Sequence, residues 1–183
     1  LNLGIIRKHE NALWSLAPHD VSMLLSLFGR MPRAVSARGG SYIQRRRHDV
    51  VFADLLFPGG EIGHLHVSWL DPRKTRRLTV VGSRRMAVFD DMEPVEKVRI
   101  YEKRAAGDYA SYGESIAVHS GEVHIPRLPA AEPLRLACAH FLSCVRTGRP
   151  PRTGVENGAA VVRVLEAAQE ALETGRTVRL KAK

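Results

Sequence analysis

Val50-Val51-Phe52-Ala53-Asp54-Leu55-Leu56-Phe57-Pro58-Gly59-Gly60-Glu61-Ile62-Gly63-His64-Leu65-His66-Val67-Ser68-Trp69-Leu70 reads as two strands, Val50–Phe57 and Glu61–Leu70, joined by a Pro-Gly-Gly turn. In the second strand Leu65, Val67 and Trp69 alternate with Ile62, His64, His66 and Ser68. Side chains on a strand alternate between faces, so one face is apolar and buried and the other is polar. The connection is too short for a helical crossover, which makes the pairing antiparallel.

Working outward, Ala34–Ile43, Arg76–Val81, Met86–Phe89, Lys97–Tyr101 and Val123–Ile125 are further short strands between turn signals. Ala105–Gly121 is polar, contains glycine and has no period, and reads as a loop. Upstream, Val21, Leu24, Leu25 and Phe28 recur at helical spacing. Pro18 suits the first position of that helix and Gly29 the position just past its end. Downstream, Pro133–Thr147 carries Leu134, Cys138, Phe141, Leu142 and Val145 on one stripe and is stopped by Gly148 and Pro150-Pro151. Thr153 and Glu156 have the spacing of a capping box opening a helix that runs through Val161, Leu165 and Leu172 to Gly175. Thr177–Leu180 closes as a strand. Strands followed by helices predict an α+β fold: an open, mainly antiparallel β-sheet with helices packed on one face, in a single domain over 1–183.

The chain has 183 residues, 44% hydrophobic and 26% charged, which is ample for one core. No apolar run approaches the ~20 residues of a membrane span, and the charged stretch Arg7-Lys8-His9-Glu10 does not fit a secretory leader, so the expectation is a cytoplasmic protein. Cys138 and Cys144 fall in one helix, where six residues rise ~9 Å, too far for a disulfide; buried free thiols are expected. The net charge of +9 suits an anionic partner or an arginine-rich solvated surface. Arg45-Arg46-Arg47 is the one tight basic run, and with no interleaved aromatics it reads as a solvated hairpin tip rather than a nucleic-acid site.

Chemistry is sparse. No G-x-G and no G-x-x-x-x-G-K-[ST] occurs, so the phosphate-cradling loop of a dinucleotide site is missing. His64 and His66, at i and i+2, would give zinc two ligands where it needs three or four, and no metal is expected. His19, at the first turn of the expected helix, would feel the positive end of the helix dipole, which favours a neutral, proton-accepting imidazole; a purely structural hydrogen bond is the alternative. Arg7, Lys8, Glu10 and Asn11 precede that helix and suit either a polyhydroxylated or phosphorylated ligand or an exposed polar loop.

Glu10-Asn11-Ala12-Leu13-Trp14-Ser15-Leu16-Ala17-Pro18-His19-Asp20 resembles the active-site segment of the Gfo/Idh/MocA oxidoreductases, especially the branch acting on nucleotide-linked amino sugars of the UDP-N-acetylglucosamine type. His64–Pro72, Leu78–Ser83, Met86–Asp91, Glu132–Leu134, His140–Leu142 and Val161–Ala167 extend the resemblance over nearly the whole chain. It implies the C-terminal, substrate-side domain of an NAD- or NADP-dependent dehydrogenase. A Rossmann domain carrying the cofactor site and a catalytic lysine would precede it, and Leu1–Gly4 would be the tail of a first strand. His19 would be the catalytic base, with Arg7, Lys8, Asn11, Trp14, Ser15 and Asp20 at the substrate; no cofactor-binding residue is expected in this chain. Many members carry Asp four residues before the histidine, where Ser15 stands here. The implied partners are a sugar or nucleotide sugar and further copies of the chain through the open sheet face. A binding or scaffold domain without chemistry, or an arginine-rich nucleic-acid binder, are the alternatives.

Overall fold

The computed structural model describes residues 6–106 and 117–180. The chain forms two compact units, one combining Leu1–Arg73 with Leu134–Lys183 and the other comprising Lys74–Pro133.

In the first unit, β1 (Ala34–Gly40), β2 (Val50–Leu56), β3 (Ile62–Ser68) and the short β8 (Val178–Arg179) form an antiparallel sheet ordered β3-β2-β1-β8. Helices α1 (Ala12–Phe28) and α3 (Val155–Thr174) pack on it, α1 against β3 and β2, α3 against β1 and β8, and each against the other. The hairpin has the expected alternation through Val67, with Leu65, Val67 and Trp69 buried and Ile62, His64 and His66 exposed; Ser68, expected on the polar face, is buried, its Oγ accepting the Leu70 N–H at 2.8 Å. The turn is closed by Phe57 N–H donating to the Glu61 carbonyl and Gly60 N–H to that of Phe57. Phe57 is fully buried and meets Phe28 with ring centroids 4.2 Å apart. Each such core side chain contributes ~1.5–3 kcal/mol. Gly63 lets α1 come close: a Cβ there would lie 2.9 Å from Leu24 Cδ1.

The second unit is an antiparallel sheet of β4 (Arg77–Val81), β5 (Met86–Asp90), β6 (Val98–Ala106) and β7 (Ala117–His124), in that order. The strands β6 and β7 run into the polar stretch expected to be loop, pairing as far as Ala106 with Ala117; backbone pairing there outweighs composition. Residues 107–116, and the Leu1–Gly4 strand tail, lie outside the described residues. Helix α2 (Pro133–Thr147) spans its expected limits, with its apolar stripe exposed. The thiols are free but not buried: Cys138 is exposed and Cys144 half-buried.

Two helix starts differ from expectation. The first helix begins at Ala12, not Pro18. Asn11 is its N-cap, accepting the Trp14 N–H at 3.1 Å, and Ala12, Leu13 and Ala17 bury the first turns. Pro18 is therefore internal, and its missing N–H leaves the Trp14 carbonyl without an i+4 donor. Helix α3 is capped by Gly154 with no side-chain cap bond, so Thr153 and Glu156 form no capping box. The expected ends hold: Gly29 and Gly175 close α1 and α3 in left-handed conformation, at φ 63° and 68°.

Candidate active site

The segment into α1 is organised by its cap. Asn11 is buried; its carbonyl-side oxygen takes the Trp14 N–H, and its amide nitrogen donates to Gln169 Oε1 on α3 at 2.8 Å. Both ends of this side chain are engaged in structure. Ala12, whose N–H would otherwise be orphaned at a helix start, donates to the His48 carbonyl at 2.9 Å. Just upstream, Arg7 Nε pairs with Glu10 Oε1 at 3.1 Å, and Lys8 is exposed.

At ~100° per residue, the buried positions of α1 (Leu13, Ala17, Val21, Leu24) make one stripe and His19 falls on the roughly opposite side, exposed. Ser15, one turn earlier, shares its face and is half-buried. Trp14 lies well round the helix from His19, and Asp20 is the next step around from it; both are half-buried. Ser15 and His19 thus share one face of α1, Asn11 is engaged in the helix cap and in the contact to α3, and Arg7 and Lys8 are exposed upstream of the helix. Because His19 sits well inside α1, the dipole effect expected of a helix start does not act on it; that field fades within the first turn. The accessibility of the imidazole, rather than a helix terminus, is what the fold supplies.

The connection between β1 and β2 is tied to the segment that leads into α1. Asp49 is fully buried and its Oδ2 accepts the N–H groups of Tyr42 at 2.6 Å and Ile43 at 2.8 Å. Its backbone completes the frame: its N–H donates to the Gly40 carbonyl and its carbonyl accepts from Trp69 N–H. Gln44 Nε2 donates to the Arg7 carbonyl at 3.1 Å. Sequence reasoning missed these links, because nothing in the spacing of Gln44 and Arg7, or of Gln169 and Asn11, announces a pair so distant in the chain.

On the exposed face of the first sheet, Asp54 Oδ1 lies 2.8 Å from His64 Nδ1, and Phe52 stacks on His66 with centroids 4.4 Å apart and planes 16° from parallel. Partial desolvation of the His66 ring, which is otherwise exposed on this face, holds its pKa below the ordinary value; Asp71 opposes the shift and His64 adds to it. Among the described residues no three histidine, cysteine or acidic side chains are grouped to hold a metal ion. No helix among them is long and apolar enough to cross a membrane.

No curated protein sequence matches. A putative oxidoreductase from Magnetospirillum magnetotacticum is 29% identical, with a TM-score of 0.74, covering 91% of this chain and 52% of that one. UDP-N-acetylglucosamine 3-dehydrogenase GnnA from Acidithiobacillus ferrooxidans has a TM-score of 0.74 at 19% identity, over 94% of this chain and 50% of that one. GenD2 from gentamicin A biosynthesis, solved in complex with NAD, has a TM-score of 0.69 at 24% identity, over 94% and 49%. The chain spans about half the length of these solved structures. Residues 8–180 match the Gfo/Idh/MocA model described as "Oxidoreductase family, C-terminal alpha/beta domain", and the chain belongs to that family.

Proposed function

We propose that the chain is the substrate-side domain of an NAD- or NADP-dependent dehydrogenase that oxidises a hydroxyl of a sugar or nucleotide sugar, with His19 as the base. The observation that carries this reading is the position of His19: exposed, on the side of α1 turned away from the core, in a chain of this oxidoreductase family. Support for a sugar comes from the likeness to GnnA, and for a nicotinamide cofactor from that to GenD2.

The chain's own residues do not fit the dinucleotide. Its close-set glycines, Gly39-Gly40 and Gly59-Gly60, lie at the end of a strand and in a hairpin turn, not at a helix start where a pyrophosphate is cradled. A nicotinamide held by a nucleotide-binding domain would supply the hydride acceptor. What this chain does is position the alcohol and take its proton. As the C–O bond becomes a carbonyl, the hydroxyl proton passes to an unprotonated His19 ring nitrogen. Ser15, on the same face, can hydrogen-bond the substrate but has no carboxylate with which to orient an imidazolium, so the proton is released to solvent. Arg7 and Lys8, exposed upstream of α1, serve substrate binding, as do Trp14 and Asp20, half-buried further round the helix. The complete enzyme self-associates through the open sheet face in the cytoplasm.

His19→Asn in the enzyme assembled with its nucleotide-binding domain should lower kcat ~10²–10⁴-fold with folding stability nearly unchanged, while Lys8→Ala mainly raises KM. Nearly full kcat for His19→Asn across the pH range would remove His19 from the role.

A further inference from the structure

We propose that the cavity at the β1–β8 edge of the first sheet, walled by Arg33, Thr177 and Arg179 over Ala34 and Leu56, binds a short-chain organic dicarboxylate.

The two strands meet there with Ala34 opposite Arg179 and Val35 opposite Val178. Val35 is fully buried, toward the helices that pack on this sheet. Side chains alternate along a strand, so Ala34 and Arg179, one position away, face the opposite side. Thr177, two residues before Arg179, shares that side, and Leu56, opposite Ala34 on β2, continues the row. Ala34 is only 7% exposed although α1 and α3 lie on the other side of the sheet. It forms the floor of a cavity of about 430 Å³ lined by Arg33, Ala34, Leu56, Thr177 and Arg179. The backbone around it is tied on both sides: Arg33 N–H donates to the Leu56 carbonyl at 2.7 Å, and Leu180 N–H donates to the Arg33 carbonyl at 2.9 Å.

Neither guanidinium is answered by a carboxylate. Among the described residues no acidic side chain pairs with Arg33 or Arg179, and Glu61, just past the adjoining turn, is taken up by Arg30. The carbonyl ends of α1 and α3 would attract a cation, but Arg179 faces away from both helices. Two like charges lining one cavity repel each other until an anion neutralises them. A carboxylate takes two parallel N–H bonds from one guanidinium, so two arginines match two carboxylates, with the Thr177 hydroxyl free to donate to a remaining lone pair. Between the charges lie Ala34 and Leu56, apolar carbon that suits a methylene chain and offers an inorganic anion no donor. The cavity volume falls toward the lower end of small-ligand sites, ~300–1,000 Å³. His19 belongs to α1, on the other side of the sheet, so this ligand is separate from the alcohol assigned to His19, and the inference does not rest on the dehydrogenase reading.

Calorimetric titration of the chain with glutarate, succinate, acetate and inorganic phosphate at about 0.1 M salt tests the site. Glutarate and succinate should bind saturably at a single site, more tightly than acetate or phosphate. R33A/R179A should weaken both dicarboxylates roughly tenfold or more. R33K/R179K keeps the charges but loses the bidentate fork, and its affinity should fall in between. R45A/R46A removes two exposed arginines from the connection at the other end of β1 and β2 and should change nothing. Arg33 and Arg179 are both exposed, and thermal denaturation should show every variant folded. Absence of saturable dicarboxylate binding at millimolar concentration, phosphate binding more tightly than either dicarboxylate, full affinity in R33K/R179K, or an equal loss in R45A/R46A overturns the site.

Discussion

The amide nitrogen of Asn11 donates to Gln169 Oε1 at 2.8 Å across 158 residues of chain, while its oxygen caps α1 through Trp14. Gln169 in turn donates from Nε2 to Glu173 at 2.7 Å, so the start of α1 is fixed to the middle of α3. Losing an N-cap costs ~0.5–2 kcal/mol and an additional part-buried hydrogen bond ~1 kcal/mol. Asn11→Ala should therefore destabilise the fold by about 1.5–3 kcal/mol in urea denaturation. Asn11→Asp keeps the cap and should recover roughly half of that. Equal losses for both would show the cap to be dispensable.

Gly63 sits where α1 crosses β3, with Leu24 Cδ1 2.9 Å from the place of a Cβ and Phe57 Cε2 at 3.5 Å. Leu24 is itself buried, so it has little room to withdraw. Gly63→Ala should cost ~1–3 kcal/mol through overpacking. Pairing it with Leu24→Ala should recover part of the loss, and a double-mutant cycle on denaturation midpoints measures that coupling.

His66 has its pKa lowered from 6.5, chiefly by partial desolvation, so the folded state favours the neutral ring. A depressed folded value means that the unfolded chain binds the proton first. This stabilising effect is complete above about pH 6.5, declines as pH falls through the folded value and then levels off. His66→Gln should flatten that acid-side slope while shifting stability uniformly through the lost Phe52 stacking. Denaturation midpoints between pH 7.5 and 4.5 decide it: an unchanged slope assigns the titration elsewhere.

Phe52 is 44% and Ile62 65% exposed on the face of the first sheet turned away from α1 and α3. If copies associate there, wild-type chain sediments as a dimer or larger at micromolar concentration, and Phe52→Lys with Ile62→Lys sediments as a monomer of ordinary stability. A monomeric wild type rejects the interface.

The hairpin that fixes the sheet was legible because its alternation and its Pro-Gly-Gly turn are local. The start of α1 was not. Pro18 is a strong local sign of a first turn, but Asn11 and the burial of Leu13 and Ala17 outweigh it, and burial is a tertiary effect. Thr153 failed as a cap for a similar reason: the spacing was present but the side-chain geometry was not. His19 could be picked out by its residue type and the family resemblance, yet its exposure follows from a helix phase that only the earlier start sets. The braced position of Arg45–Arg47 depends on Gln44 reaching Arg7, a contact without periodicity to betray it.

The first unit is assembled from both ends of the chain, with Lys74–Pro133 inserted between them. Its sheet takes β8 from residues 178–179 to lie beside Ala34 and Val35, and its core needs α3. The inserted strands, by contrast, each pair with their neighbour in sequence. The insert can close its hairpins early and α1 can dock on β2 and β3, while the surfaces of β1 and α1 that α3 and β8 cover stay open until residues 155–179 are made. Loop-closure entropy makes that last docking the slow step. Premature termination after residue 133 would leave a chain that holds its middle and lacks the partner for its beginning, a species disposed to aggregate rather than to function as a smaller domain.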